Sequence, residues 1–351
     1  MLKAEYAPFR LEFREPAVTS RAVMNDKETY FIRIYDDERP EVFGIGECAL
    51  FRGLSADDRP DYEMVLSEVC ASISQHGSVA IIPDGWSSIR FGVESALADL
   101  RNGGCRILWP GEWVCGKYGI PINGLVWMGS HDQMMDRLCS KIDAGFRCVK
   151  LKIGGIDFAE ELDLIRHIRE RFSSDKLEIR LDANGAFTPD TAMDYLSRLA
   201  PYGIHSIEQP IRAGQMSAMA SICRESPIPI ALDEELIGCR SRTEKIELLD
   251  VIHPSFIILK PSLCGGFSAA EEWVSLPAER CIGWWATSAL ESDIGLNAIA
   301  QWCASMHTVI PQGLGTGQLY TNNIPSPMWL DGDKLRYNPD GWWALPHFDW
   351  R

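Results

Sequence analysis

Two patterns of apolar and polar positions divide the chain. Over residues 1–50 the positions alternate, most clearly in Tyr30-Phe31-Ile32-Arg33-Ile34-Tyr35, the period of a half-buried strand. The alternation predicts strands over 6–13, 29–35 and 42–48, with the polar stretch 19–28 as a loop between the first two. Helical periodicity follows over 61–76 and 88–101, the second capped by Ser87 or Ser88 and stopped by Gly103-Gly104. Three strands followed by helices predict a small α+β capping domain over 1–105.

From about residue 122 short apolar runs alternate with amphipathic stretches. The runs fall at 124–128, 148–153, 178–181, 206–208, 228–232, 256–259 and 282–286, with a weak eighth at 312–315. Between them, 158–171 places Leu162, Ile165 and Ile168 on one helical face. Such units predict an α/β fold: a (β/α)8-type barrel of seven or eight units over 106–325. A doubly wound open sheet is the alternative. After 325 the repeat stops, and the Trp-, Pro- and Asp-rich tail 326–351 is expected to pack back on the capping domain.

Length agrees with that division, since 351 residues exceed what one hydrophobic core usually organises. The formal net charge of −15 disfavours nucleic acid and anionic membrane surfaces as partners. Eleven cysteines occur singly, without a Cys-x-x-Cys pair, as expected of a reducing compartment. The first residues lack the basic-then-apolar order of a signal peptide, and no apolar run suits a bilayer span. A cytoplasmic protein is the expectation.

Charge adds the chemistry. Asp182, Glu208 and Asp233 each end a strand-like run, 26 and 25 residues apart. In a parallel barrel that spacing sets the three acids side by side at the carboxyl ends of neighbouring strands, the active-site face. Three gathered carboxylates repel one another unless a cation sits between them. Oxygen ligands without His or Cys suit Mg²⁺ or Mn²⁺ better than Zn²⁺. One such acid would more often cap a helix or turn; three in register, with lysines nearby, favour a metal site.

Lys150 and Lys152 lie two apart on one run, so their side chains share a face, while Val149, Leu151 and Ile153 point to the other. Lysines inside a barrel are costly unless they meet negative charge or catalyse. Lys260, between Leu259 and Pro261, ends a strand across the ring and fits poorly as a snorkelling surface lysine. A free lysine titrates near ~10.4; burial, a neighbouring lysine and a nearby cation bring it toward roughly 7–8. The set suits proton abstraction α to a carboxylate, whose extra enediolate charge a metal offsets.

Lys-x-Lys, Asp-Ala-Asn, Glu-Gln-Pro, Asp-Glu and Leu-Lys-Pro in this order resemble the enolase superfamily, in its muconate-lactonising subgroup. The likeness extends to Gly46-Glu47 and to residues 94–99 of the first domain. A lysine or histidine base with Mg²⁺ on an enediolate is that superfamily's established chemistry. Within it, Ser288-Ala289-Leu290-Glu291-Ser292 and Gly313-Leu314-Gly315-Thr316-Gly317 are similar to the o-succinylbenzoate synthases of menaquinone synthesis. Those metal-dependent lyases dehydrate 2-succinyl-6-hydroxy-2,4-cyclohexadiene-1-carboxylate. The resemblance implies Lys152 as base and proton donor to the leaving hydroxyl, with Lys260 as the cation facing the enediolate. It implies substrate-binding positions at Lys150, Asn184, Gly265, Gly266 and Ser288, Asn184 from a second layer. It also implies that loop 19–28 closes over a small carboxylate substrate. Taken without the resemblance, Gly265-Gly266 and Ser288 read equally well as ordinary turn residues.

Racemisation of an N-acylamino acid or epimerisation of a dipeptide would use the same two lysines. A dipeptide epimerase is expected to carry Asp-x-Asp near the eighth strand, where this chain has Gly-Leu-Gly-Thr. A mandelate-racemase-like mechanism needs a histidine at the end of the seventh strand, yet none lies between His253 and His307. A non-catalytic barrel would have no reason to keep strand-end charges that destabilise its interior.

Overall fold

A computed structural model describes residues 1–18, 23–78 and 81–351. Strands β1 (Leu2–Val18), β2 (Val23–Asp36) and β3 (Phe43–Cys48) form an antiparallel sheet in that order. Helices α1 (Tyr62–His76) and α2 (Ser87–Arg101) cover one face, burying Tyr30, Ile32, Ile34, Leu66, Ile73, Ile89 and Val93. The contact of β3 with α2 is glycine-dependent: a Cβ on Gly46 would stand 1.9 Å from the Gly92 carbonyl oxygen.

The strands run longer than the alternation predicts. Residues 23–28 belong to β2, not to a loop, and pair with β1 from Val18 to Arg10 around a bulge; 19–22 lie outside the described residues. The reason is local. This ribbon projects beyond its own helices, so its positions carry polar residues such as Asn25, Asp26 and Lys27 instead of alternating apolar ones. It is held by the barrel: Lys27 Nζ donates to the Leu290 carbonyl at 3.0 Å, and Arg14 N donates to the Leu319 carbonyl at 2.8 Å.

The barrel begins after the short strand β4 (Ile120–Pro121). Its units are β5 (Gly124–Val126) with α3 (His131–Asp143), β6 (Cys148–Lys152) with α4 (Phe158–Arg171), and β7 (Glu178–Asp182) with α5 (Pro189–Leu199). Next come β8 (Ser206–Glu208) with α6 (Met216–Glu225), β9 (Ile230–Leu232) with α7 (Arg242–Ile252), and β10 (Phe256–Leu259) with α8 (Gly266–Ala278). β11 (Gly283–Ala286) and α9 (Asp293–Ser305) complete the series. Each expected strand forms within two residues of its place, because fully buried parallel strands read as apolar runs. Strands β5 to β11 pair in sequence order as one parallel sheet.

The sheet curls until its edges meet through Gln312-Gly313, which bridges to Ile122 on one side and to Thr287 on the other. Asn123 N donates to the Gln312 carbonyl at 2.9 Å, and Gly313 N to the Ala286 carbonyl at 2.8 Å. The eighth position is thus two bridging residues and not a four-residue strand. The structure is a closed (β/α) barrel, and the open doubly wound alternative falls away.

The tail serves two bodies. Strands β12 (Met328–Asp331) and β13 (Lys334–Tyr337) pair with β4 at the barrel's lower end. Beyond them Phe348 packs on Phe9 and Phe31, and Arg351 exchanges backbone hydrogen bonds with Tyr6. Among the described residues no helix is long and apolar enough to cross a membrane.

Candidate active site

Strand register builds the charged floor. Lys152 of β6 pairs with Asp182 of β7, and Asp182 with Glu208 of β8, so three successive strands end level with one another. Asp233 follows β9 and Lys260 follows β10. The acids are almost inaccessible, Asp182 at 0%, Glu208 at 1% and Asp233 at 2% exposure.

Three ammonium groups share these carboxylates. Lys152 Nζ donates to Asp182 Oδ2 at 2.6 Å and to Asn184 Oδ1 at 2.8 Å. Lys150 Nζ donates to the same Asp182 oxygen at 3.1 Å and to Glu208 Oε2 at 3.0 Å. Lys260 is hydrogen-bonded to Asp233. Asn184 holds a left-handed backbone conformation (φ 47°) and donates its Nδ2 to Glu234 Oε1 at 2.9 Å.

The local field separates these groups. Burial lowers the Lys152 pKa against the pull of Asp182. Burial works against the Lys150 charge too, but Glu208 and Asp182 outweigh it and raise its pKa. Burial likewise opposes the Asp182 charge, yet Lys152 and Lys150 hold that carboxyl well below its usual range. Glu208 is pushed up to about 8, by burial first and then by repulsion from Asp182. A buried carboxylate so displaced is short of positive charge, and the all-oxygen donor set of the three acids suits a hard divalent cation.

Above the floor lies a cavity of about 250 Å³. Lys150, Lys152, Asn184, Lys260 and Ser288 line it; Asp182, Glu208 and Asp233 do not, because the lysines stand between them and the open space. Ser288 accepts a hydrogen bond from Thr316 Oγ1 at 2.9 Å and donates to Glu291, whose other oxygen accepts from Ser262 at 2.6 Å.

Gly265 and Gly266 depart from expectation, since neither lines this cavity. Gly265 borders a separate cleft with Arg90, Arg240 and Lys245. Gly266 starts α8 against α2, where Glu94 accepts from Phe267 N at 2.5 Å and from Ser268 Oγ at 2.6 Å. Both glycines have positive φ, 104° and 80°, so the pair serves the turn and the close helix approach.

Sequence reasoning placed 19–28 over the substrate, and Met24 of that stretch does line the cavity, but it missed the rest of the roof. Met24, Phe51, Arg52 and Leu54 of the first domain line the cavity, with Trp127 and Leu290 from the barrel. The apolar residues Leu50, Phe51 and Leu54, set between a strand and a helix where a polar loop is usual, were the available signal. A second missed feature joins the two bodies. Buried Glu47 accepts from Ser292 N at 2.9 Å, Ser292 Oγ at 2.6 Å and Gly295 N at 3.1 Å, at the start of α9.

Comparison with known proteins agrees with this fold. Residues 133–332, more than half of the chain, match the family described as "Enolase C-terminal domain-like", so the chain belongs to the enolase superfamily. Binding of a divalent metal is general in that superfamily. The chain is 43% identical to the o-succinylbenzoate synthase of Desulfotalea psychrophila, over 95% of this chain and 98% of that one. The crystal structure of MenC from the same organism superposes with a TM-score of 0.81 at 40% identity, covering 95% of this chain and 99% of that one. An N-succinylamino acid racemase from Amycolatopsis is 29% identical over 59% of this chain and 55% of its own length.

Proposed function

We propose that the chain is a metal-dependent lyase that dehydrates 2-succinyl-6-hydroxy-2,4-cyclohexadiene-1-carboxylate to o-succinylbenzoate, a step of menaquinone synthesis. The observation that carries this reading is the 43% identity to an o-succinylbenzoate synthase, sustained over 95% of the chain. In this reading residues 1–105 cap the site, 106–325 form the catalytic barrel, and 326–351 tie the two together.

Asp182, Glu208 and Asp233 would hold Mg²⁺ or Mn²⁺. A divalent cation there supplies Lewis-acid charge to the substrate carboxylate. Lys152 removes the α-proton, leaving the electron pair on the enediolate. Lys260, across the cavity, faces that enediolate with positive charge. The C–O bond then breaks, and the leaving hydroxyl departs as water with the proton that Lys152 returns. Lys150 keeps the floor charge-balanced through Asp182 and Glu208, Asn184 orients Lys152, and Ser288 offers a polar contact to the substrate. Met24, Phe51 and Leu54 exclude water above it.

N-acylamino acid racemisation is the second reading, favoured by the partial similarity to the Amycolatopsis racemase. Turnover measured side by side on the cyclohexadiene acid, an N-succinylamino acid and a dipeptide, in deuterated solvent, separates the two. Dehydration is expected to exceed racemisation, and dipeptides to show neither inversion nor α-deuterium uptake. Faster racemisation than dehydration would replace the first reading by the second.

A further inference from the structure

A second group of metal-ligand side chains lies on the outside of the barrel, on helices α3 and α4. His131 opens α3, and Asp163 and His167 stand one turn apart on α4, the i,i+4 spacing that puts two side chains on one face. One ligand atom from each lies within 4.8 Å of the other two.

The orientation of these atoms goes beyond proximity. His167 Nδ1 stands 3.1 Å, and His131 Nε2 3.9 Å, from the same oxygen, Asp163 Oδ2. Both nitrogen atoms are shielded from solvent and lack hydrogen-bond geometry to any described residue, although the side chains that carry them are 34% and 41% exposed. Two ring nitrogens turned toward one carboxylate oxygen without hydrogen-bonding it leave a place where a cation fits. Around a tetrahedral ion with bonds of ~2.1 Å, neighbouring donors stand about 3.4 Å apart. The two distances bracket that value.

The surroundings fit as well. The other Asp163 oxygen is held by Arg166, which leaves Oδ2 to face the imidazoles. His131 Nδ1 lies 3.4 Å from Asp132 Oδ1, an outer carboxylate that favours the proton on Nδ1 and a lone pair on Nε2. Arg166 Nη2 approaches His167 Nε2 at 3.5 Å, so binding through Nδ1 moves the ring proton to Nε2 and turns the Arg166 guanidinium away from it. Glu160 borders the same hollow but stands outside this group of ligand atoms, so water supplies the fourth position.

We propose that His131, Asp163 and His167 form a second metal site, selective for a borderline transition-metal ion of the Zn²⁺ or Co²⁺ class, that staples α3 to α4. Two imidazoles and one carboxylate rank such ions above Mg²⁺, so this site and the all-carboxylate floor take different metals.

The test is a Zn²⁺ titration by calorimetry on the full chain kept in excess Mg²⁺, with His131→Ala, His167→Ala and the conservative His167→Gln alongside. The wild type is expected to bind one more Zn²⁺ equivalent than any variant, or to bind it at least about tenfold more tightly. Co²⁺ should give the visible bands of nitrogen and oxygen ligation in the wild type, and these should weaken in each variant. All variants should keep the far-ultraviolet spectrum and turnover of the wild type, since neither histidine lines the cavity. Equal Zn²⁺ stoichiometry and affinity in wild type and variants would overturn the site and leave an imidazole–carboxylate ion pair.

Discussion

The floor and the roof of the cavity are built in opposite ways. Floor groups sit at the ends of β6 to β10, and its acids and lysines hold one another through ion pairs. Roof groups reach in from segments far away in sequence, Met24 from a projecting ribbon and Phe51, Arg52 and Leu54 from the stretch after β3. Arg52 is itself tied sideways to Glu28 and Asp58, at 2.6 and 2.7 Å. The barrel thus sets where charge is placed, and the capping domain sets the shape of what fits above it. One fold can host different reactions through the groups grafted on it.

The largest expected effects come from breaking the floor. Lys152→Ala should fold with an unchanged far-ultraviolet spectrum and lose turnover by about 10²–10⁴-fold, the usual range for a general base. Turnover within tenfold of wild type would remove Lys152 from the proposed base role. Chelation should abolish activity, and Mg²⁺ or Mn²⁺ should restore it. Activity that survives exhaustive chelation would separate the carboxylates from the chemistry.

Breaking the roof should act differently. Phe51→Ala takes apolar surface from above the substrate and leaves Lys152 and Lys260 in place. Loss of a ring contact of this kind is worth about 1–3 kcal/mol of binding, so KM should rise about tenfold while kcat stays within about threefold. Steady-state kinetics on the cyclohexadiene acid read the split. A fall in kcat as large as that for Lys152→Ala would erase the distinction between the two layers.

The same division explains what could be read from the sequence. Seven barrel strands were legible because each is an apolar run, and five of them, β6 to β10, end at a charge, as in Ile-Arg-Leu-Asp182 or Ile-Ile-Leu-Lys260. The eighth was blurred, since Gln312-Gly313 closes the ring with two residues and no apolar run. The Phe51–Leu54 part of the roof was hidden because its place over the barrel is set by packing across the chain and not by any local period. The ribbon 23–28 looked like a loop because its partner surface is the barrel rim, so its polarity carries no strand period. Gly265-Gly266 looked like a substrate contact because a glycine pair beside an active-site lysine has two uses. Only the position of Glu94 on α2 decides between them.

A last prediction leaves turnover aside and probes the stability of the seam between the layers. Asp293, first residue of α9, accepts from Asn323 Nδ2 at 2.8 Å, just before the tail, and from Ser326, the tail's first residue. Burial pushes its carboxyl from 3.8 up to about 6, despite those two hydrogen bonds. The folded state therefore holds this proton more tightly than the unfolded chain does. Its contribution to stability is fully present below about pH 4 and is lost as the pH rises through about 6. A shift of this size corresponds to about 3 kcal/mol at most. Asp293→Asn keeps an acceptor for one partner and removes the titration. Denaturant unfolding of both proteins from pH 4 to 7 should show the wild type losing up to that amount relative to the variant. A constant difference across the range would mean that Asp293 stays ionised throughout, with the seam open enough to hydrate it.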